Sequence, residues 1–350
     1  MEQRFRGMNA VVTGASSGVG AAIARAFAVE GANVALLARN REGLEAVADA
    51  VRGRGGNALV LPLDVADPSA VEAAAARVVE EWGGIDIWVN NAMVSVFAPV
   101  VATRADEYRR VTEVNYLGYV HGTLAALRYM RPRDAGVIMQ IGSALAYRSI
   151  PLQSAYCATK AAIRGFTDSL RSELIRENSG IAITMLHLPA VNTPQFEVVR
   201  NRLGKHPQPV PPVYQPEVIG RAAVHAVLHP RRELWIGMST ALAIVGQRVV
   251  PGFLDRYLAR NAWDSQITDD VPPGHPLHHE QDNVDATVPG VRGVHGPFDD
   301  RAREFCMPLW LATHRGVVAL LALGAALAVY GTLRGGGGDA RRPRARRSLA

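Results

Sequence analysis

The run from Asn9 to Ala38 constrains the fold more than any other stretch. Asn9–Thr13 (NAVVT) reads as an apolar strand, Gly14-Ala-Ser-Ser-Gly18-Val-Gly20 turns out of it, and AAIARAFAVEGA continues as an alanine-rich helix ending near Gly31. A second apolar strand, Asn33–Ala38 (NVALLA), follows at the distance a βαβ unit requires. Glycines allow a tight turn and close approach of a pyrophosphate to backbone N–H groups at a helix N-terminus, where the dipole favours an anion. The first unit is therefore a candidate dinucleotide site.

A second informative stretch runs from Val137 to Ile163. Val137–Ile141 is a short apolar run followed by Gly142-Ser143, which predicts a buried strand ending in a hydroxyl, whereas Tyr156 onward has helical period. Tyr156 and Lys160 are four residues apart and share a helix face, and a fixed cation beside a phenol favours phenolate. That spacing alone describes many surface helix pairs, so its weight depends on partners elsewhere.

Those partners are present. Thr13–Gly20 (T-G-x-x-x-G-x-G), Asn90-Asn91-Ala92, Asn115, Ser143 and Tyr156-x-x-x-Lys160 stand in an order and spacing that resemble the short-chain dehydrogenase/reductase family, in its compact single-domain branch, over roughly residues 5–255. The resemblance implies an α/β fold: a doubly wound Rossmann-type sheet of about seven parallel strands flanked by helices. It implies an oxidoreductase that interconverts a carbonyl and an alcohol by hydride transfer. Tyr156 would exchange the proton, Ser143 would bond the substrate oxygen, Lys160 would hold the nicotinamide ribose and lower the tyrosine pKa, and Asn115 would hold a water linking Lys160 to solvent. The cofactor would rest on Gly14, Ser16, Ser17, Gly18, Val19, Gly20, Asp64, Val65, Asn91 and Ala92, with Pro189, Val191 and Thr193 closing over the nicotinamide. Two residues depart from the family pattern: Met93 and Ala190 stand where glycine is usual.

Arg39-Asn40-Arg41 follows the second strand, where NAD-binding relatives carry an acid for the ribose 2′-hydroxyl. A guanidinium there suits a 2′-phosphate, so NADP is expected over NAD. His187, at the end of a buried strand, reads as a packed histidine. Residues 195–214, rich in proline and polar side chains, are expected to form a mobile substrate loop. Cys157 and Cys306 are the only cysteines, too few for a disulfide framework, which points to a reducing compartment. No signal-peptide pattern precedes the first strand.

Beyond the catalytic region (1–255) an extended arm is expected over 256–315, polar and rich in proline and glycine from 268 to 300, with a helix broken at Pro251-Gly252 before it. His275, His278 and His279 lack acidic or thiol partners at ligand spacing, so no metal site is assigned. Gly316–Leu333 holds eighteen uncharged residues, about 27 Å as a helix against a hydrocarbon core of about 30 Å, and is a candidate transmembrane or interfacial helix. The tail 334–350 carries six arginines and one acid, which leaves the rest of the chain at +1 of the total +6. A core so nearly neutral argues against nucleic-acid binding. The positive-inside rule would put the tail in the cytoplasm and a spanning chain's catalytic region outside. That outside placement has neither a signal sequence nor a cofactor supply behind it, so a membrane-associated enzyme with a cytoplasmic catalytic domain is the expectation, surface attachment competing with a span. A homodimer or homotetramer acting on a small carbonyl or alcohol completes it. The alternatives are a non-catalytic dinucleotide-binding scaffold and a structural membrane protein.

Overall fold

The computed structural model describes residues 3–269 and 281–314, with isolated positions beyond. Seven strands form one parallel sheet: β1 (Asn9–Thr13), β2 (Asn33–Ala38), β3 (Ala58–Pro62), β4 (Ile87–Asn90), β5 (Gly136–Ser143), β6 (Ile181–Leu188) and β7 (Glu233–Trp235). Their order is β7-β6-β5-β4-β1-β2-β3. The central strands are mostly apolar and buried along their length, as expected where helices cover both faces. Order reverses between β1 and β4, and ligands of open α/β sheets bind beyond the carboxyl ends of the strands at such a switch point.

The helices of eight or more residues are α1 (Gly18–Val29), α2 (Arg41–Arg52), α3 (Pro68–Trp82), α4 (Ala105–Thr112), α5 (Gly118–Met130), α6 (Ser154–Arg176), α7 (Pro216–Leu228), α8 (Met238–Val249) and α9 (Pro251–Asn261), among the described residues. Asn40 caps α2 by accepting from Gly43 N, and Asp67 caps α3 by accepting from Ser69 N and Ala70 N. α1 has no side-chain cap; at its first residue Gly18 N donates to Gly293 O (3.0 Å). Between α4 and α5 the chain winds as a π-helix, Glu113–Leu117. Such stretches recur at functional sites, and this one holds Asn115.

Residues 195–214 are not a free loop. Arg200–Asn201 pairs with Val96–Phe97, His206–Pro207 with Ile267–Thr268, and Val213–Tyr214 with both Ala190–Val191 and Ala302–Arg303. Main-chain pairing to segments far along the chain, invisible to local composition, replaces the expected mobility. The helix break at residue 250 is where the sequence places it.

Residues up to Cys306 form one compact unit. Met307–Thr313, a short helix, belongs to a second unit. Among the described residues no helix is long and apolar enough to cross a membrane. The expected helix at 316–333 and the tail lie almost wholly outside the described residues, and His275, His278 and His279 lie outside them too.

Candidate active site

The glycine turn leaves β1 with Gly14 at φ +64°, where a Cβ would stand 2.7 Å from Ala92 Cα. At Gly20 a Cβ would meet the Gly14 carbonyl at 2.2 Å, so only glycine lets α1 start so close to the turn. Thr13 ties the turn to β4: its Oγ1 accepts from Asn91 N (2.9 Å) and Ala92 N (3.1 Å). Asn91 Nδ2 donates to the carbonyls of Thr13 (3.0 Å) and Gly14 (3.2 Å). Asn90 instead faces the core, accepting from Trp88 Nε1 and donating to Thr123 Oγ1 and Gln140 Oε1. Asn91 thus shapes the turn through Nδ2.

Gly14, Ser16, Ser17, Arg39, Asp64, Val65 and Ala92 line one cavity, joined by Leu63, Met93 and Val114. Hydroxyls and a guanidinium near the start of α1, with apolar side chains beside them, fit a nucleotide's phosphate, ribose and base. Gly18, Val19 and Gly20 form the first turn of α1. Thr193 crosses above it, close enough that a Cβ on Gly18 would lie 3.1 Å from Thr193 Cγ2. Val191 is buried in the short pairing with Tyr214, and Pro189 lies against Gly237. Asp64 is not free: Oδ1 accepts from Ala66 N (3.0 Å) and Oδ2 pairs with Arg110. Burial alone would raise its pKa, but the Ala66 N–H and the Arg110 guanidinium hold it below the ordinary aspartate value.

The catalytic candidates gather at the carboxyl end of β5. Ser143 ends that strand opposite Leu188 of β6 and caps the following turn by accepting from Leu145 N (3.1 Å). Tyr156, half-buried on α6, has its pKa raised by burial, and the Ser143 hydroxyl beside it pulls the other way. Lys160 is 2% exposed, with Nζ 5.6 Å from the Tyr156 ring centroid. Nζ donates to Tyr119 Oη (3.0 Å) and Ile141 O (2.7 Å). Burial lowers the Lys160 pKa from 10.5 to about 7. The expected depression of the tyrosine by the lysine is thus absent from this arrangement, because both groups are desolvated and the ammonium is turned toward a carbonyl and a second phenol.

Asn115 is fully buried, and its amide is spent on neighbours. Oδ1 accepts from Val94 N (2.8 Å), while Nδ2 donates to Val94 O (2.9 Å) and Thr159 Oγ1 (3.3 Å). Thr159 Oγ1 in turn donates to Tyr156 O (2.8 Å). The side chain therefore braces the strand exit against α6. His187 is buried with Nδ1 3.1 Å from Ser143 O, and burial lowers its pKa. Cys157 is buried, which pushes its thiol up and leaves it unreactive.

Sequence reasoning passed over Tyr119, Thr159 and Arg110. Tyr119 lies one turn beyond Asn115, a spacing that was the one available signal. It also passed over the position of the arm. Residues 281–299 do not lie on a remote surface: Arg39 donates to Asn283 O and Val284 O, Asn40 Nδ2 to Gly290 O (2.8 Å), and Gly18 N to Gly293 O (3.0 Å). Asn283, Thr287, Val288 and Arg292 complete the lining of the cavity.

Comparisons with known proteins agree with this geometry. Residues 8–203 match the short chain dehydrogenase family. The chain is 34% identical over 259 residues to Uncharacterized oxidoreductase YxnA of Bacillus subtilis (strain 168), covering 73% of this chain and 72% of that one. It is 32% identical over 233 residues to a fatty acyl-CoA reductase of Acinetobacter baylyi (strain ATCC 33305 / BD413 / ADP1), covering 66% and 76%. Among solved structures, the alcohol dehydrogenase from the archaeon Thermococcus sibiricus complexed with 5-hydroxy-NADP superimposes with a TM-score of 0.57 at 28% identity, over 65% of this chain and 95% of that one. The chain belongs to the short-chain dehydrogenase/reductase family of NAD(P)-dependent oxidoreductases.

Proposed function

We propose that this oxidoreductase interconverts a lipophilic carbonyl compound and its alcohol using NADP(H), with Tyr156 as the acid–base group. The observation that carries this reading is the placement of the Ser143 and Tyr156 hydroxyls side by side at the carboxyl end of the sheet, with Lys160 buried behind them. When bound, the dinucleotide supplies the hydride in reduction and accepts it in oxidation. In reduction Tyr156 gives its phenolic proton to the carbonyl oxygen, and Ser143 holds that oxygen by a hydrogen bond; oxidation reverses the transfer. A phenol is protonated at neutral pH, so Tyr156 enters reduction carrying the proton it gives. Lys160 uses two of an ammonium's three donors on Tyr119 and Ile141, which leaves one for a ribose hydroxyl.

NADP is favoured because residues 39–41 include no acid and the cavity is lined by two guanidinium groups, Arg39 and Arg292. Two features favour a lipophilic substrate. Leu242, Val245, Val249 and Phe253 are exposed on α8 and α9, beside the segment after Ser143 to which Arg148 links them through Gln247 (2.8 Å) and Asp255 (2.7 Å). Similarity to a fatty acyl-CoA reductase points the same way. Membrane attachment through 316–333 remains part of the reading, motivated by its uncharged composition. So does self-association, for which the groove between α5 and α6, with Leu124 58% exposed, is the apolar candidate. A scaffold without turnover would have no use for Asn115, Ser143, Tyr156 and Lys160 together.

The test is a panel of aldehydes and ketones of increasing chain length, assayed by the loss of NADPH absorbance. Turnover that rises with chain length is expected. Failure of every carbonyl, or reduction with NADH only, would remove the reading, and centrifugation with and without residues 306–350 tests the attachment.

A further inference from the structure

We propose that the segment 281–296 is a working part of the dinucleotide site, and that Arg292 of this arm, not Arg39, is the guanidinium that meets the ribose 2′-phosphate. The inference deepens the NADP reading and rests on it. Arg39 stands at the expected position after β2, but its two terminal nitrogens donate to the carbonyls of Asn283 and Val284. Arg110 Nε donates to the same Val284 carbonyl (3.1 Å), and the Val284 side chain is fully buried in the main core. Arg39 therefore anchors the arm. To reach a phosphate it would have to release two carbonyls that no other donor replaces in full.

Arg292 has the complementary arrangement. Its Nη1 donates to the carbonyls of Val288 (3.1 Å), Pro289 (3.0 Å) and Gly290 (3.4 Å), while among the described residues its Nε and Nη2 make no hydrogen bond. It lines the cavity together with Ser16, Ser17 and Asn40. A guanidinium gripped at one nitrogen is held in place with donors to spare, and a phosphate is the partner that its planar fork suits. The arm carrying it is fastened at both ends. Arg200 pairs with Asp282 (2.7 Å) and Asp285 (2.8 Å), while Gly18 N donates to Gly293 O and Asn192 Nδ2 to Asp299 Oδ1 (2.8 Å). Asn40 bonds the carbonyls of Val288 (3.3 Å) and Gly290 (2.8 Å), so the loop that grips Arg292 is itself tied to the start of α2. Nothing in the family match, which ends at residue 203, supplies this group.

The test is calorimetric binding of 2′,5′-ADP and 5′-AMP to the full-length protein, in the wild type and in Arg292→Gln, Arg292→Lys and Arg39→Gln. A charge-assisted hydrogen bond contributes about 1.5–3 kcal/mol, so Arg292→Gln should weaken 2′,5′-ADP about 10- to 100-fold while 5′-AMP changes less than about three-fold. Arg292→Lys should recover part of the loss. Arg39→Gln should weaken both ligands alike and raise amide exchange over 281–296. If Arg39→Gln erases the preference for 2′,5′-ADP and Arg292→Gln keeps it, the NADP reading stands and the role of Arg292 is overturned. If the wild type shows no preference, the NADP reading fails and the proposal falls with it. Melting temperatures within a few degrees of wild type establish that each variant is folded, and the lysine variant reports should the glutamine variant not fold.

Discussion

The catalytic floor and the arm above the dinucleotide cavity are built on opposite plans. Ser143, Tyr156 and Lys160 sit on a strand end and a 23-residue helix, with their backbones fixed by the sheet and their side chains largely buried. Between residues 281 and 298 the arm has no regular secondary structure, and its position rests on Arg39, Asn40, Arg110, Asn192 and Arg200 reaching it from four places in the fold. A side chain of the floor can be changed without moving its neighbours, so the effect should be chemical. A change to one anchor of the arm should alter position, and so affinity.

The largest expected effect belongs to the floor. Tyr156→Phe removes the transferable proton and should lower kcat by about 10²- to 10⁴-fold while cofactor affinity stays within a few-fold. Retention of more than a tenth of the activity on a substrate the enzyme uses would sink the assignment.

Lys160 comes next, and its signature is pH dependence. Its folded pKa of about 7 lies below the 10.5 of the unfolded chain, so between those values the unfolded state holds more protons and stability rises with pH. Below pH 7 both states are protonated and the burial penalty is complete. Lys160→Met should flatten this rise, seen as melting temperatures of the cofactor-free protein that converge at pH 7 and pH 9.5; an unchanged slope would mean that another group titrates in the window.

At the arm the effects should be smaller and sensitive to salt. Arg200→Gln breaks the contacts to Asp282 and Asp285 and leaves the buried Glu107 to Arg202. With about 1 kcal/mol for such partly exposed pairs, cofactor affinity should fall about five-fold while kcat at saturation holds. Equal amide exchange over 281–298 in variant and wild type would show that Arg200 does not hold the arm.

The smallest effect provides the baseline. Arg77 on α3 pairs with Glu80 and Glu81 in the open, and Arg77→Ala should change stability by no more than about 0.5 kcal/mol and leave kinetics alone. A larger loss would mean that exposed pairs count for more in this fold, and the contrast between floor and arm would narrow.

Much of the floor was legible in advance because it is written in short spacings. Tyr156 and Lys160 are one turn apart, Gly14 and Gly20 bracket one helix start, and each strand is an apolar run that a parallel sheet buries. Asn115 was legible as a position but not in its use: the two hydrogen bonds to Val94 arise from packing across 21 residues. Arg39 was legible as a charge after β2, and what it bonds was not.

The sequence by itself determined the order of strands and helices, the glycine turn and the spacing of the candidate catalytic groups, since each follows from local periodicity and backbone sterics. Tertiary structure alone decided that Lys160 faces Tyr119 and Ile141, that residues 195–214 are pinned, and that the arm returns to cover the cavity. Arg39 and Val284 are 245 positions apart. No local pattern encodes such a contact, because it exists only once the burial of Val284 and the pairing of Arg200 with Asp282 have brought the two segments together.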